Sequence, residues 1–207
     1  MKLSIYPFII DAGKFKFFYY HINIYLFIII IGFTSCHTIQ NIQTTQPVNQ
    51  VGKDTRGNDM LLGKCTRDAL EKAPFSEWFK KNYDEYKTDE AAVSDLKLLL
   101  KDKTITIFLG TWCGDSKREV PRMMKILEAI GFPEKKIHLI MVSNHAGMYK
   151  QSPQHEETGK NIIRVPTFIF YENEKEIGRI IESPIASLEK DMLKILKRES
   201  YKPNYTK

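Results

Sequence analysis

The pattern of apolar and polar positions in the second half of the chain predicts strands and helices in alternation. Short apolar runs with a period of two predict strands, and longer stretches with apolar residues three and four apart predict helices. In chain order these are strand Thr104 to Leu109, helix Ser116 to Ile130, strand Lys136 to Val142, strand Phe168 to Tyr171, strand Glu176 to Glu182 and helix Ser187 to Arg198. This order predicts an α/β fold.

A helical block is predicted before these elements, over residues 61 to 102. Pro74 opens a stretch with aromatic residues three and four positions apart, and Asp89 to Lys101 repeats the spacing with valine and leucine. These spacings predict amphipathic helices whose aromatic side chains pack against the domain. The preceding residues, 36 to 60, are rich in Gln, Asn, Thr and Gly and predict a flexible tether. A further helix is predicted in the polar stretch Asn144 to Lys160.

The best candidate for a reactive side chain is Cys113. It lies in the run Trp112-Cys113-Gly114-Asp115-Ser116, between the strand Thr104 to Leu109 and the helix that follows it. At a helix N-terminus, unpaired backbone N–H groups and the helix dipole stabilise a thiolate. A half-buried structural cysteine is an equally good interpretation of these five residues alone. Two later features extend the pattern, namely Pro121 inside the helix and Val165-Pro166-Thr167 before a strand.

Taken together, these motifs resemble the thioredoxin family over roughly residues 103 to 200. Trp-Cys-Gly-x-x-Lys, a proline eight residues after the cysteine, and a Val-Pro-Thr proline that is cis in the family all match in order. The resemblance implies a thioredoxin-like fold, with a central mixed β-sheet flanked by helices and an N-terminal helical extension. It also implies the site residues: Cys113 as nucleophile, Ser116 as a hydrogen-bond donor to its thiolate, Trp112, Gly114 and Asp115 around it, and Val165, Pro166 and Thr167 as the substrate-binding segment, with the Thr167 backbone exposed for pairing.

The sequence departs from the family pattern at two positions. Ser116 stands where the family has its second cysteine, so the motif cannot close a four-residue disulfide and a dithiol mechanism at this motif is excluded. Ile107 stands where the family has a buried acid that handles protons. Asp115 replaces a proline common between the cysteines; a carboxylate suits the first turn of a helix, but it disfavours a neighbouring thiolate.

The first 35 residues indicate export. Lys14 and Lys16 precede an apolar run of about 12 residues, Ile22 to Phe33, which is short of the roughly 20 needed to span a bilayer. The run ends in Thr34-Ser35-Cys36, which resembles a bacterial lipobox. We therefore predict a lipoprotein signal peptide over residues 1 to 35 and lipidation of Cys36, with the remaining chain tethered to a bacterial membrane and facing the periplasm. A plain membrane anchor is the alternative.

Cys65 admits two interpretations once Cys36 is lipidated. In an oxidising compartment Cys65 and Cys113 form an even pair, and Cys65 on a mobile N-terminal segment would then act as the resolving thiol. Alternatively, Cys65 is a small buried residue or a free thiol, because the sequence does not fix its distance from Cys113.

The distribution of charge argues against nucleic-acid binding, and the positions of the histidines argue against a metal site. The chain carries 31 basic and 25 acidic residues, a net charge of +6, and its lysines are interleaved with glutamates along the predicted helices. No nucleic-acid-binding stripe is expected from that distribution. His138 is predicted to face solvent, and His145 and His155 have no cysteine or histidine at ligand spacing, so neither a metal site nor a cofactor is expected.

The sequence thus predicts a membrane-tethered thiol-disulfide oxidoreductase that acts through Cys113 on exported proteins bearing disulfides or oxidised thiols. Two alternatives stay open: a redox-inactive binding module with a thioredoxin fold, and a monothiol enzyme that uses a low-molecular-weight thiol. The predicted organisation is signal peptide 1 to 35, tether 36 to 60, helical extension 61 to 102, thioredoxin-like domain 103 to 200 and C-terminal tail 201 to 207.

Overall fold

The strands predicted by alternation form the centre of a six-stranded sheet in a computed structural model, which describes residues 48–206 of the chain. The strands are β1 Gln50–Lys53, β2 Asp59–Cys65, β3 Lys103–Leu109, β4 Ile137–Met141, β5 Thr167–Glu172 and β6 Lys175–Ile181. The helices are α1 Arg67–Leu70, α2 Ser76–Glu85, α3 Glu90–Leu99, α4 Gly114–Ile130 and α5 Leu188–Leu196. The strand order is β1-β2-β4-β3-β5-β6. Because β3 and β4 are parallel and the other neighbours antiparallel, the predicted mixed sheet is confirmed.

Alternate residues of the central strands point to opposite faces of the sheet and belong to two different apolar clusters, one on each face. On one face, Ile105, Ile107 and Leu109 of β3 pack with buried residues of all five helices. On the other face, Phe108 packs with a smaller cluster that includes Ile140 and reaches Trp112 and Cys113. Cys113 therefore packs on the face of the sheet opposite the helical layer.

The N-terminal boundary of the domain differs from the prediction. Residues 50–53 and 59–65, predicted as tether and helical extension, form a β-hairpin that joins the sheet through β4. Asp54 closes the turn, since its carboxylate accepts hydrogen bonds from the backbone N–H groups of Arg56 and Asn58, both at 2.8 Å. An aspartate that closes a turn with its own side chain is the sequence signal that could have predicted this hairpin. Residues 36–47, the rest of the predicted tether, lie outside the described part of the chain.

Helices α2 and α3 confirm the amphipathic pattern predicted for the block before β3. Phe75 and Phe79 are buried, and Trp78, Tyr83 and Tyr86 pack against the same cluster. Helix α3 begins after Asp89, whose side chain accepts a hydrogen bond from the N–H of Ala92 at 3.2 Å, as an N-cap residue does. The aromatic residues therefore fasten the helices to the domain, as the sequence predicts.

The C-terminal hairpin and helix also follow the prediction closely. Asn173 and Glu174 connect β5 to β6 with positive φ angles of 49° and 63°, the geometry of a tight two-residue hairpin turn. Gly178 of β6 lies against α5: a Cβ there would come within 2.7 Å of the Ile195 side chain. Ser187 caps α5 by accepting a hydrogen bond from the N–H of Lys190 at 3.2 Å.

The prediction of a helix within Asn144 to Lys160 is wrong. The described segment holds one short 3-10 turn, Ala146–Met148, and otherwise irregular backbone. Polar side chains replace helical hydrogen bonds: the buried Ser152 hydroxyl lies 2.6 Å from carboxylate oxygens of both Glu156 and Glu157. The polar composition reflects this local network and not an exposed helix face.

Within residues 48–206, no helix combines the length and the hydrophobicity that a membrane crossing requires. The predicted signal peptide and Cys36 lie outside these residues.

Candidate functional site

Cys113 lies at the N-terminus of α4, as the sequence predicts. Its backbone is extended, with φ of −90° and ψ of 128°, and its carbonyl oxygen accepts the N–H of Lys117 at 3.0 Å, the first hydrogen bond of the helix. The side chain is partly exposed. Its Sγ lies 3.2 Å from the backbone carbonyl oxygen of Val165, to which the thiol donates. The thiol therefore combines solvent access with a position at the N-terminus of a helix.

Trp112 forms one wall of the site. Its indole Nε1–H donates to the carbonyl oxygen of Val142 at 2.8 Å, and its ring centroid lies 6.0 Å from that of Tyr149, which is 52% exposed. The ring is able to pack there because residue 110 is glycine: a Cβ at Gly110 would come within 2.5 Å of the indole. Tyr149 was missed in the sequence because nothing in the irregular segment fixes which of its residues reaches the site.

The segment Val165-Pro166-Thr167 faces Cys113 through Val165. The Val165–Pro166 peptide bond is cis, as the resemblance implies. The Pro166 carbonyl oxygen accepts the N–H of Glu182 at 2.7 Å, which ties the segment to the end of β6. The expectation that the Thr167 backbone is exposed is wrong, because Thr167 pairs with β3 on one side and β6 on the other and is 1% exposed. Val165 is the residue of this segment whose backbone contacts the thiol.

Ser116 does not take the predicted role of donating to the Cys113 thiolate. Its side chain is 0% exposed, and its Oγ accepts the backbone N–H of Gly110 at 3.2 Å. Among the hydrogen bonds of residues 48–206, none joins Ser116 to Cys113. Ser116 instead fastens the first turn of α4 to the loop that precedes the cysteine, so its effect on the thiol is one of position.

Asp115 is paired with a cation that offsets its charge. Its carboxylate lies 2.8 Å from Nη2 of Arg118, and Nε of the same guanidinium lies 2.6 Å from the buried carboxylate of Glu119. The hydrogen bond that Arg118 donates to Glu119, together with the one it donates to Asp115, raises the pKa of Arg118 above its ordinary value. Arg118 therefore stays charged and counters the repulsion that Asp115 alone would exert on a thiolate. The three-residue spacing on a helix is the sequence signal that could have found it.

Cys65 is buried and sits at the end of β2, opposite Leu139 of β4. Burial is the largest cause that raises the pKa of its thiol, from an ordinary 9.0 to about 12. The interpretation of Cys65 as a resolving thiol on a mobile segment is contradicted, because the residue belongs to a strand paired on both sides. The alternative interpretation, a small buried residue with a free thiol, agrees with the structure.

The sheet also keeps the two cysteines apart. Cys113 contacts Val165 beside the start of β5, whereas Cys65 lies in β2, with β4 and β3 between them. Three interstrand spacings of about 4.8 Å separate β2 from β5 by about 14 Å, twice the largest Cα separation that a disulfide allows. Cys65 moreover packs in the helical cluster and Cys113 in the cluster on the opposite face.

Three of the five histidines, His138, His145 and His155, lie in the described residues. His138 is exposed on β4, as predicted, and Nε2 of His145 lies 2.7 Å from the carbonyl oxygen of Lys53. Across residues 48–206, no group of three or more His, Cys, Asp or Glu side chains is arranged to hold a metal ion.

The chain is similar to known proteins in sequence and in structure. A family model described as thioredoxin matches residues 71–197. Mitochondrial thioredoxin 3 from Saccharomyces cerevisiae, in its oxidized form, is 24% identical and covers 54% of this chain and 97% of its own, with a TM-score of 0.33. Thioredoxin f2 from Chlamydomonas reinhardtii is 18% identical over 56% of this chain and 96% of its own, with a TM-score of 0.33.

A protein of unknown function from Pseudomonas aeruginosa is 14% identical, covers 61% of this chain and 75% of its own, and has a TM-score of 0.41. No curated protein matches the chain.

Proposed function

The chain belongs to the thioredoxin family, and from that premise we propose that it is a membrane-tethered thiol-disulfide oxidoreductase whose single reactive thiol is Cys113. Membership of the family supports a thiol-disulfide oxidoreductase type of function in general. The proposal adds the single-cysteine mechanism, the exported protein substrates and the tether at Cys36.

The observation that carries the proposal is the environment of the two described cysteines. Cys113 is partly exposed at a helix N-terminus and contacts the Val165 carbonyl, whereas Cys65 is buried in an inner strand on the other face of the sheet. Position 116, where a second motif cysteine would stand, is a serine with no exposed surface. Cys113 is thus the thiol that a partner can reach, and no second thiol of residues 48–206 lies near it.

With one reactive thiol, the reaction takes place in two steps: formation of a mixed disulfide with the partner, and its resolution by another thiol. The Cys113 thiolate attacks one sulfur of a partner disulfide, so a bond forms between Cys113 and that sulfur, and the other partner sulfur leaves as a thiolate that takes up a proton. With a partner sulfenic acid, the same bond forms and water leaves. In both cases the product is a mixed disulfide between Cys113 and the partner.

Completion of the cycle needs a thiol from outside the site. A low-molecular-weight thiol attacks the sulfur of Cys113, which releases the partner as a thiol and leaves the small thiol on Cys113. A second small thiol then attacks the small-molecule sulfur of that adduct. The two small thiols leave joined as a disulfide, and Cys113 is released as a thiol. The partner disulfide gains two electrons and two protons, and two small thiols lose them.

The proposed location rests on the sequence before the domain. The apolar run Ile22 to Phe33 and the lipobox-like Thr34-Ser35-Cys36 favour export and lipidation. A lipid anchor at Cys36 would present the domain to exported proteins at the bacterial membrane surface, facing the periplasm.

The proposal is tested by trapping mixed disulfides in cells that express the full-length chain. Cells that express the parent protein, Cys113→Ser or Cys65→Ser are quenched with acid, which protonates thiolates and stops exchange. The proteins are then alkylated under denaturing conditions near neutral pH and separated without reductant. We expect the parent and Cys65→Ser to accumulate the same reducible high-mass complexes, and Cys113→Ser to accumulate none.

Different results would point to the alternatives. Complexes that persist in Cys113→Ser, and that resist reduction, would indicate a binding module that does not use the thiol. Complexes that increase strongly in Cys65→Ser would show that Cys65 resolves them, against the separation seen in the sheet. Labelling of Cys113 only by the small thiol, with no protein partner, would favour the monothiol enzyme.

A further inference from the structure

Residues 201–206, which follow α5, fold back onto the edge of the sheet at the end of β6. The side-chain amide of Asn204 donates to the carbonyl oxygen of Ser183 at 2.9 Å, two residues past the last residue of β6. The hydroxyl of Tyr205 donates to the carboxylate of Glu182, the residue directly after β6. This segment is therefore fastened to the loop that leaves β6.

The contacts of Tyr205 connect it to the segment that touches the reactive thiol. The backbone N–H of Glu182 donates to the carbonyl oxygen of Pro166 at 2.7 Å. Nη1 of Arg164 lies 3.7 Å from the Glu182 carboxylate, and the guanidinium carbon lies 4.8 Å from the centre of the Tyr205 ring. The residue between Arg164 and Pro166 supplies the carbonyl oxygen that contacts Cys113. The ring of Tyr205 therefore packs against the same segment that contacts the thiol.

Two exposed tyrosines lie on opposite sides of Cys113. Strands β3, β4 and β6 run in the same direction, because β3 is parallel to β4 and both β3 and β6 are antiparallel to β5. Their C-terminal ends share one edge of the sheet, in the spatial order β4-β3-β5-β6. Cys113 follows β3, the contacting pair of Trp112 and Tyr149 lies at the end of β4, and Tyr205 lies at the end of β6. Because Tyr149 and Tyr205 are 52% and 53% exposed, aromatic surface is available on both sides of the thiol.

The ring is the part of Tyr205 that a partner meets, because the charges around it are already paired. Arg164 is paired with Glu182, and Arg118 is paired with Asp115. The hydrogen bond to Glu182 is the largest cause that raises the pKa of Tyr205, and the charge of Asp115 adds to the shift. The phenol therefore stays protonated at neutral pH, and the surface that Tyr205 adds beside the site is aromatic and uncharged.

We propose that Tyr205 is a specificity-determining residue of the Cys113 reaction, which binds an aromatic side chain of the partner polypeptide. Strand β6 lies two interstrand spacings from β3, a distance of about 10 Å that roughly three residues of an extended chain span. The aromatic side chain is therefore expected about three residues from the reacting cysteine of the partner. This inference rests on the proposed function and adds the kind of partner sequence that the thiol prefers.

The test measures how fast Cys113 of the reduced full-length protein attacks three synthetic peptides. Each peptide carries one cysteine in a mixed disulfide with thionitrobenzoate. One peptide has phenylalanine three residues before that cysteine, one has phenylalanine three residues after it, and one has alanine at both positions. The Cys113 thiolate attacks the peptide sulfur and forms a disulfide with it, and the coloured thionitrobenzoate leaves because its thiol has the lower pKa. The rate measured with Cys113→Ser, which reports any other thiol, is subtracted.

The ratio of the rates with phenylalanine and alanine peptides reports the specificity. In the parent protein, one of the two phenylalanine peptides should react about three- to tenfold faster than the alanine peptide, the gain expected from one aromatic pair. Tyr205→Ala should abolish this ratio, and Tyr205→Phe, which keeps the ring, should retain it. Leu98→Ala, at an 81% exposed position of α3, is the matched control and should retain the ratio as well.

Three results would overturn the proposal. A parent protein that reacts equally with all three peptides has no such specificity. A Tyr205→Ala variant that reacts more slowly with every peptide but keeps the ratio would show that Tyr205 only positions the segment at Val165. Failure of the parent protein to react with any peptide would refute the function proposed for Cys113, and this inference with it.

Discussion

Replacement of Cys65 by alanine should make the stability of the protein less sensitive to alkaline pH. Burial raises the pKa of the Cys65 thiol from 9.0 to about 12. In the unfolded chain the thiol therefore ionises near pH 9, while in the folded protein it stays protonated until near pH 12. The stabilising contribution is fully present below pH 9 and is lost as the pH rises from 9 toward 12.

The size of this loss follows from the two pKa values. Between pH 8 and pH 10, ionisation of Cys65 stabilises the unfolded chain by about 1.4 kcal/mol, whereas the folded protein gains almost nothing. Alanine removes this term, and it also removes the buried sulfur, at a cost of roughly 1 kcal/mol that does not depend on pH. Cys65→Ala should thus be less stable than the parent at pH 8 and about equally stable at pH 10.

The assay is urea unfolding of the parent and Cys65→Ala at pH 8 and pH 10, with reductant present. Tyr86 and Tyr201, whose pKa values are raised mainly by burial, are present in both proteins, so their alkaline contributions cancel in the difference. An equal loss of unfolding free energy in the two proteins between pH 8 and pH 10 would refute the reasoning. It would mean that the Cys65 thiol ionises in the folded state and is open to solvent.

Four further predictions concern other parts of the chain. Ser116→Ala removes the acceptor for the buried N–H of Gly110 and should lower the free energy of unfolding, measured in urea, by about 1–3 kcal/mol. Ser116→Cys should form a disulfide with Cys113 and raise the rate of insulin reduction. An unchanged rate in the folded Ser116→Cys variant would mean that the absence of a buried acid at Ile107 also limits the reaction. Tyr86→Phe removes a hydrogen bond of 2.8 Å to the buried carboxylate of Glu189 and should lower stability by roughly 2 kcal/mol, with iodoacetamide labelling of Cys113 unchanged; a slower labelling rate would reveal an unexpected link to the site. Cys36→Ala should abolish incorporation of labelled lipid and leave an unprocessed precursor, and membrane retention without lipid, with residues 1–35 attached, would show a transmembrane anchor instead.

The sequence predicted the elements that carry their own local signal. The strand before Cys113, the helix after it and the final hairpin and helix all appear within a few residues of their predicted bounds. Each has an apolar period, a cap or a turn residue that acts locally. The position of Cys113 at a helix N-terminus follows from the boundary between two such elements.

The errors lie where distant contacts decide the conformation. The short strand Gln50–Lys53 has little apolar content and exists because it pairs with β2, and β2 in turn pairs with β4. The role of Ser116 depends on where its side chain points, and the role of Thr167 depends on which strands its backbone pairs with. The spacing of residues along the sequence gives neither. Cys65 was ambiguous for the same reason, since only the strand order shows that two strands lie between it and the strand beside Cys113.

The central claim is that Cys113 reacts as a single thiol, and intact-mass analysis of the reduced full-length protein after addition of a small aromatic disulfide tests it most directly. We predict one stable adduct, mapped to Cys113, with Cys65 still a free thiol until an external thiol is added. Loss of the adduct without added thiol, together with a peptide in which Cys65 is disulfide-bonded to Cys113, would contradict it.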